Sequence, residues 1–339
     1  MSLRHLPVFL FLLASLLTSN SSAAELLEVP VGISPVMSSA AMFIAKERGY
    51  FREEGIEAVI NPFKASGAKM VPFLATGQLF VAGGNVNAGM YNAIAQDIPI
   101  NIVSDKGTVS PGHGYLALIV RKDHLDSGRY RDLNDLKGMT LAVTAKGVSQ
   151  QIVIEKYLHK AGLTSKDIKL VTLAYSDMNI ALANKSIDAT VQIEPFVAAA
   201  IKHDFAVRVA GNDEIYPNQQ SAVIYYSPIF MKQHPKQAQG FMNAYVRGLR
   251  DYNDAFEKGI GKQDIIRILT QSTRIKDVSI YQTVVPVGLS PDGLVNVQSL
   301  KADAQWYYQQ GYLKTMPDID SIVDLNYART AVKKLGRYP

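Results

Sequence analysis

Residues 27–60 read LEVPVGISPVMSSAAMFIAKERGYFREEGIEAVI, and this stretch decides the fold. Apolar residues dominate 27–33 and 56–60, two short runs whose length is typical of buried strands. Between them, residues 39–48 have the spacing of an amphipathic helix, and Gly49 follows as a helix-terminating glycine. Strand, helix and strand within about 30 residues form the unit of a right-handed crossover in a parallel sheet.

The same alternation continues along the chain in two series and ends in a helical tail. The first series predicts strands at 79–82 and 98–104, and helices at 68–75 and 86–95. The second predicts strands at 115–120, 140–144, 168–173, 189–193 and 205–210, and helices at 149–161, 177–183 and 195–203. A strand at 221–226 precedes helices at 235–258, 263–270, 275–284, 295–310 and 319–334. This order predicts an α/β fold of two lobes.

Two segments, near 110–114 and 217–222, are predicted to join the lobes, with the helical tail packed on the first lobe. The predicted first lobe is discontinuous, comprising residues 25–112 and 222–339, and the second comprises residues 113–221. The glycines around His113 favour a hinge, because hinge residues absorb large changes in backbone angles.

Residues 1–24 have the pattern of a cleavable export signal. Arg4 precedes an apolar run at 6–17, and Ser22 and Ala24 are the small residues that a signal peptidase prefers. A membrane anchor or buried helix is the alternative, but this run is shorter than the roughly 20 residues that span a bilayer. We expect the mature chain to begin at Glu25 and to lie free in the periplasm.

Composition excludes several classes of site. The chain has no cysteine, which excludes disulfides, thiolate metal sites, a cysteine nucleophile and a lipidated cysteine. The formal net charge of +5 falls to +4 without Arg4, and the basic residues form no stripe, so nucleic-acid binding is not expected. The six histidines form no metal-binding or catalytic pattern. We expect a monomer with no metal, no cofactor and no catalytic residues.

Four segments in order resemble a known family. They are similar to motifs of the nitrate/sulfonate/thiamine-pyrimidine solute-binding proteins. The segments are 45–56 (AKERGYFREEGI), 74–78 (LATGQ), 135–143 (DLKGMTLAV), and 181–189 (ALANKSIDA) with 194–196 (EPF). Two positions depart from the family pattern: Phe80 replaces an acidic residue, and 147–150 read GVSQ where Gly-Ser is usual. The second departure lies where a ligand is expected.

The resemblance implies a fold of the periplasmic-binding-protein-like type II class and a role in transport. A protein of this family captures a small-molecule solute in the cleft between its lobes and delivers it to the permease and ATPase subunits of an ABC importer. Hinged closure on the solute, without turnover, is the implied mechanism.

Ligand contacts are expected from loops at the carboxyl ends of strands, where open α/β sheets form their crevice. The candidate ligand-binding residues are Ser38, Ser39, Ser66, Asn85, Asn87, Asp105, His113, Ser149, Gln150, Tyr175 and Glu194. Most have a structural alternative: Ser39, Ser66, Asn85 and Ser149 as helix N-caps, Glu194 and Asp105 as partners of a helix terminus, His113 as a hinge residue, and Tyr175 as a core or surface residue.

The ligand class stays open between two kinds of solute. No arginine lies in these loops, and only Lys64, Lys106 and Lys146 could supply a cation. The absence of a guanidinium clamp favours a neutral or nitrogen-bearing heterocycle, such as a thiamine pyrimidine, over a sulfonate. Two other functions remain as alternatives: an enzyme of the pyrimidine or menaquinone pathways on the same scaffold, and a sensory adaptor.

Overall fold

The structure is a computed structural model of the chain and describes residues 25–63, 67–96, 98 and 100–339. The predicted signal at 1–24 lies outside the described residues. Elements of the first sheet and the helices between them are β1 (Leu27–Ile33), α1 (Ala40–Glu47), α2 (Tyr50–Glu53), β2 (Ile56–Pro62), α3 (Val71–Ala75), β3 (Val81–Asn85), α4 (Ala88–Ile94) and β4 (Asn101–Thr108).

The second sheet follows as one continuous block. Its elements and the helices between them are β5 (Leu116–Arg121), α5 (Lys122–Asp126), β6 (Thr140–Val143), α6 (Ser149–Lys160), β7 (Lys169–Thr172), α7 (Tyr175–Ala183), β8 (Ala189–Ile193), α8 (Phe196–Lys202), β9 (Ala206–Gly211) and α9 (Asn212–Ile215).

The chain then returns to the first sheet with β10 (Gln220–Tyr226) and continues as helices. These are α10 (Pro228–Gln233), α11 (Pro235–Glu257), α12 (Lys262–Ser272), α13 (Val278–Tyr281), α14 (Val297–Gln309), α15 (Ile319–Ile322) and α16 (Asn326–Leu335). Short 3-10 turns lie at Met37–Ser39, Gly67–Met70, Leu133–Leu136 and Ser165–Asp167.

Both sheets have five strands and a mixed topology. In the first, the order is β2-β1-β3-β10-β4, with β1 parallel to β2 and β3, and β10 antiparallel to both of its neighbours. In the second, the order is β7-β6-β8-β5-β9, with β6 parallel to β7 and β8, and β5 antiparallel to its neighbours. The predicted α/β class is confirmed. All residues of β10 are buried, as expected for a strand inserted inside a sheet that helices cover.

The tail covers the first sheet through α11, which packs against α1 and α16. A smaller part of the tail, α13, packs against α8 of the second sheet through Ile280, Ala198 and Ala199. The chain passes between the sheets over residues 109–115 and again over 212–219. The lobe boundaries at residues 112 and 221 stay predictions, and the second falls inside β10.

Two helices differ from the sequence prediction. The predicted helix 275–284 shortens to Val278–Tyr281, because a run of β-branched residues and Pro286 follow it. The predicted helix 319–334 splits into α15 and α16, because Val323 forms a parallel bridge with Ile102 at the edge of the first sheet. Over the described ranges, no helix combines the length and the hydropathy that a membrane crossing needs.

Candidate ligand-binding site

A cavity lies between the two sheets, and we call it the interlobe cavity. Its first wall comes from the loop after β1 and from β3, β4 and β10, and its second wall from β5, β8 and the first residues of α6, α7 and α8. Sites for small molecules in open α/β proteins usually lie where the carboxyl ends of strands meet. Four predicted residues line this cavity: Ser38, Asn85, Ser149 and Tyr175.

Lys106 of β4 supplies a buried amine to the first wall. Its side chain is 3% exposed, and Nζ donates a 2.8 Å hydrogen bond to Ser38 Oγ. The lysine stem lies against Gly83, where an added Cβ would be 2.8 Å from Lys106 Cδ. Burial lowers the pKa of Lys106 to about 7, since loss of hydration outweighs the attraction of the neighbouring Asp105 charge. The amine therefore changes its charge near neutral pH.

Asn85 shapes the first wall through the backbone of an adjacent loop. Its Oδ1 accepts a 2.9 Å hydrogen bond from the backbone N–H of Gly67. The backbone segments at Gly84 and Gly67 approach so closely that a Cβ on Gly84 would lie 2.6 Å from Gly67 Cα. The helix-capping role belongs to Asn87, whose Oδ1 accepts from the N–H of Met90 at 2.8 Å. Asn87 thus caps α4, while Asn85 remains at the cavity wall.

Ser149 connects the two walls. Its hydroxyl does not cap α6; it donates a 3.0 Å hydrogen bond to the backbone oxygen of Ser221 in β10. Backbone bonds from Ala88 N to Gly147 O, at 2.8 Å, and from Ser149 N to Val86 O, at 3.0 Å, lie beside it. The sheets are therefore hydrogen-bonded to each other along one side of the cavity.

Aromatic side chains supply much of the apolar surface. Tyr175 and Phe196 begin α7 and α8 in the second wall, and Phe63 lies opposite in the first wall. The backbone oxygen of Tyr175 accepts a 3.0 Å hydrogen bond from Gln192 Nε2, which holds the start of α7 in place. Tyr115 also lines the cavity, and its hydroxyl is hydrogen-bonded to Ser221 Oγ.

Asp105 was a predicted ligand contact, but its carboxylate accepts hydrogen bonds from other groups of the protein. It is fully buried and accepts hydrogen bonds from the N–H groups of Gly107 and Ser290, from Thr108 Oγ1 and from Gln220 Nε2, at 2.6–2.9 Å. Alternation along a strand turns it away from the face that carries Lys106. Burial raises the pKa of Asp105, and these donors oppose the rise. Its role is to join β4, β10 and the tail.

Gln150 and Ser39 are also occupied by internal contacts. The Gln150 side chain accepts from the N–H of Thr144 at 2.8 Å and donates to the backbone oxygen of Val191. Ser39 Oγ donates to the backbone oxygen of Ser34 at 2.7 Å. Both side chains brace loops that line the cavity, and neither residue lines it.

Glu194 was expected to point its carboxylate into the cleft, and this prediction is wrong. Its Oε2 accepts from the N–H of Ala198 in α8, and Oε1 accepts from the N–H of Val285 in the tail, both at 3.1 Å. These donors hold the side chain away from the interlobe cavity. Burial raises the pKa of Glu194 to about 7, because loss of hydration outweighs the two backbone hydrogen bonds.

His113 lies in the first crossing, outside the interlobe cavity. Its ring contacts Ser110 Oγ at 3.0 Å and Glu257 Oε1 at 2.8 Å, so it connects the crossing to α11. Ser66 falls outside the described residues. Elsewhere in the described ranges, no group of three or more His, Asp or Glu side chains is placed to hold a metal ion.

Sequence comparison identifies the family. The family model described as NMT1/THI5 like matches residues 37–255, well over half of the chain. The chain belongs to the NMT1/THI5-like family. The matched residues include both sheets except β1, and most of the residues that line the interlobe cavity.

Individual relatives are distant in sequence. A Haemophilus influenzae protein named for thiamine biosynthesis is 24% identical over 184 residues, which are 54% of this chain and 54% of that protein. The chain spans only 54–59% of the length of the curated relatives it matches.

Solved structures of the same shape include two binding proteins. The periplasmic nitrate-binding protein NrtA from Synechocystis has a TM-score of 0.74 at 15% identity, over 92% of this chain and 90% of NrtA. The alkanesulfonate-binding protein SsuA from Xanthomonas axonopodis, bound to MOPS, has a TM-score of 0.70 at 19% identity, over 89% of this chain and 99% of SsuA. The predicted periplasmic-binding-protein-like fold is confirmed.

Sequence reasoning did not include Arg274 among the candidate residues of this NMT1/THI5-like chain, and it also left out Lys106, Phe63 and Phe196. Arg274 lies in the tail between α12 and α13, beyond the family match, and it lines the interlobe cavity with an exposed side chain. The inference that a guanidinium clamp is not evident did not take this residue into account. It considered only loops at strand ends, and no local signal marks a tail residue that packing brings to the cavity.

Proposed function

We propose that this chain is the periplasmic substrate-binding component of an ABC importer. In this proposal it captures one small molecule between its two lobes and closes on it by a hinged motion. The observation that carries the proposal is the interlobe cavity, whose walls come from two separate sheets joined by two chain crossings. Relative motion of the sheets would open and close such a cavity with few changes inside either lobe.

The partners and the location follow from the same proposal. A permease and an ATPase at the inner membrane would receive the solute, and the chain would act as a free monomer after loss of residues 1–24. NrtA and SsuA, which have the same fold, are both named as binding proteins, and this supports the proposed class of function. The solute would be a thiamine-pyrimidine-like heterocycle or a nitrate- or sulfonate-type anion.

An enzyme on the same scaffold is the second candidate, and the name of the Haemophilus influenzae relative favours it. Such an enzyme would need a nucleophile, a base or a cofactor at the solute. The described residues that line the cavity include one titrating amine, Lys106, and no histidine or carboxylate. The lining is better suited to holding a solute than to transferring protons from it.

Two measurements on protein purified from the periplasm test the proposal. Native mass spectrometry identifies any retained solute, and small-angle scattering compares the free and loaded protein. We expect a smaller radius of gyration on loading and an unchanged solute after prolonged incubation. Accumulation of a product would favour the enzyme, and the absence of contraction with every solute tried would refute hinged capture.

A further inference from the structure

The ammonium of Lys106 lacks a charged partner in the described part of the protein. Its hydrogen-bond partner there is the neutral Ser38 Oγ, and no described carboxylate lies within 4.0 Å of Nζ. The adjacent Asp105 faces the other side of the sheet, with its oxygens occupied by four donors. A buried charge without a counter-ion is costly, so a bound anion would relieve this cost.

The rest of the cavity has the same sign of charge. Arg274 adds a guanidinium to the lining, and no described residue forms an ion pair with it. The described lining residues include no aspartate or glutamate. A cationic or zwitterionic solute would therefore find no described carboxylate for its basic end, whereas an anion would find two cations.

The apolar part of the cavity indicates what carries the anion. Phe63, Tyr175 and Phe196 contribute aromatic surfaces to the lining. A bare inorganic anion would satisfy Lys106 and leave these surfaces uncovered. A flat ring can contact them, and burial of apolar surface contributes about 25 cal/mol per Å².

We infer that the cavity selects a flat, ring-bearing solute with one anionic group, which Lys106 and Ser38 bind while the aromatic side chains hold the ring. This inference rests on the proposed function, because it assigns a solute class to the same cavity. It replaces the neutral heterocycle that the sequence favoured. Lys106 is then the specificity-determining residue, and Arg274 at the exposed edge assists the approach of the anion.

Matched pairs of solutes test the inference by isothermal titration calorimetry. The probes are benzoate with benzamide, and benzenesulfonate with benzenesulfonamide, so each pair shares a ring and differs in charge. Acetate and nitrate serve as anions without a ring. We expect each ring anion to bind about tenfold or more tightly than its neutral partner, and more tightly than acetate or nitrate.

Variants locate the preference. Lys106→Met removes the charge and keeps the bulk of the side chain, and it should abolish the difference in affinity between the charged and the neutral member of each pair. Lys106→Gln is a second variant with the same expected result. Circular dichroism verifies that both variants fold. Lys232→Met, on the exposed surface of α10, is the matched control and should keep the preference. Equal affinity within pairs, a preference that survives in both Lys106 variants, or binding by none of the ring anions would overturn the inference.

The same data separate this inference from the proposed function. A neutral solute that binds and contracts the protein would overturn the anion preference and leave capture intact. Failure of all solutes, retained or added, to contract the protein would overturn both.

Discussion

Solute affinity should depend on pH because Lys106 must be charged to bind an anion. With the pKa of Lys106 lowered to about 7, the charged fraction falls from about nine-tenths at pH 6 to about one-tenth at pH 8. Binding of benzenesulfonate, which stays ionised throughout this interval, should therefore weaken by about tenfold, equal to about 1.4 kcal/mol. The sign follows from the charge: affinity is full below the pKa of the lysine and declines as the pH rises through it.

Other charged or titrating groups near Lys106 do not supply this slope. Burial raises the pKa of Tyr115 and of Tyr175 above their ordinary range, so both stay neutral between pH 6 and pH 8. Asp105, the neighbour on β4, has a raised pKa, but its carboxylate faces the opposite side of the sheet.

Calorimetry in two buffers with different ionisation enthalpies provides the decisive measurement. At pH 7 the free amine is about half charged, so binding should take up about half a proton per solute. Lys106→Arg, whose guanidinium does not titrate, should remove both the slope and the proton uptake, and Lys232→Met should keep them. A flat pH profile in the wild type, with no proton uptake, would refute the assignment of the anion to Lys106.

Three further predictions concern residues around the cavity. Glu194→Gln should flatten the pH dependence of thermal stability. The pKa of this carboxyl rises from 4.5 to about 7 on folding, so the wild-type protein loses stability as the pH rises between those two values. Melting temperatures of both proteins at pH 5 and pH 8 measure this loss. Gly84→Ala should destabilise the protein by about 1–3 kcal/mol in urea unfolding, because the new Cβ meets the Gly67 backbone; an unchanged midpoint would contradict this contact. Arg274→Gln should slow association of an anionic solute at low salt and barely change it at high salt, as stopped-flow fluorescence can show.

The fold was predictable from sequence because its units are local. The run 27–60 contains two apolar strands, a helix and a terminating glycine, and each signal acts within a few residues. The position of β10 in the sheet is harder to predict from sequence, because this strand returns from a distant part of the chain to lie between β3 and β4. The prediction of the tail helices was the least accurate, because the bridge between Val323 and Ile102 interrupts a helical pattern in the sequence.

The candidate site was predictable only in part, because sequence locates a loop but not the direction of each side chain. Asp105 and Lys106 are adjacent, and strand alternation sends one to the sheet's far side and the other into the cavity. Asn85 and Asn87 likewise differ by two residues, yet one lies at the wall and the other caps α4. A polar residue at a strand end can stabilise a loop or bind a ligand. The hydrogen-bond donors around its side chain determine which of these roles it has.

The tail has a larger part in the cleft than its place in the sequence suggests. Its main helices pack on the first sheet, yet its segment between α12 and α14 reaches α8 of the second sheet. Val285 N–H donates to Glu194, Lys202 Nζ lies 2.5 Å from Asp277 Oδ2, and Arg274 lines the cavity nearby. Any motion that separates the sheets must break these contacts or bend the tail. Under the proposed hinged capture, opening of the cavity would therefore involve the tail as well as the two crossings.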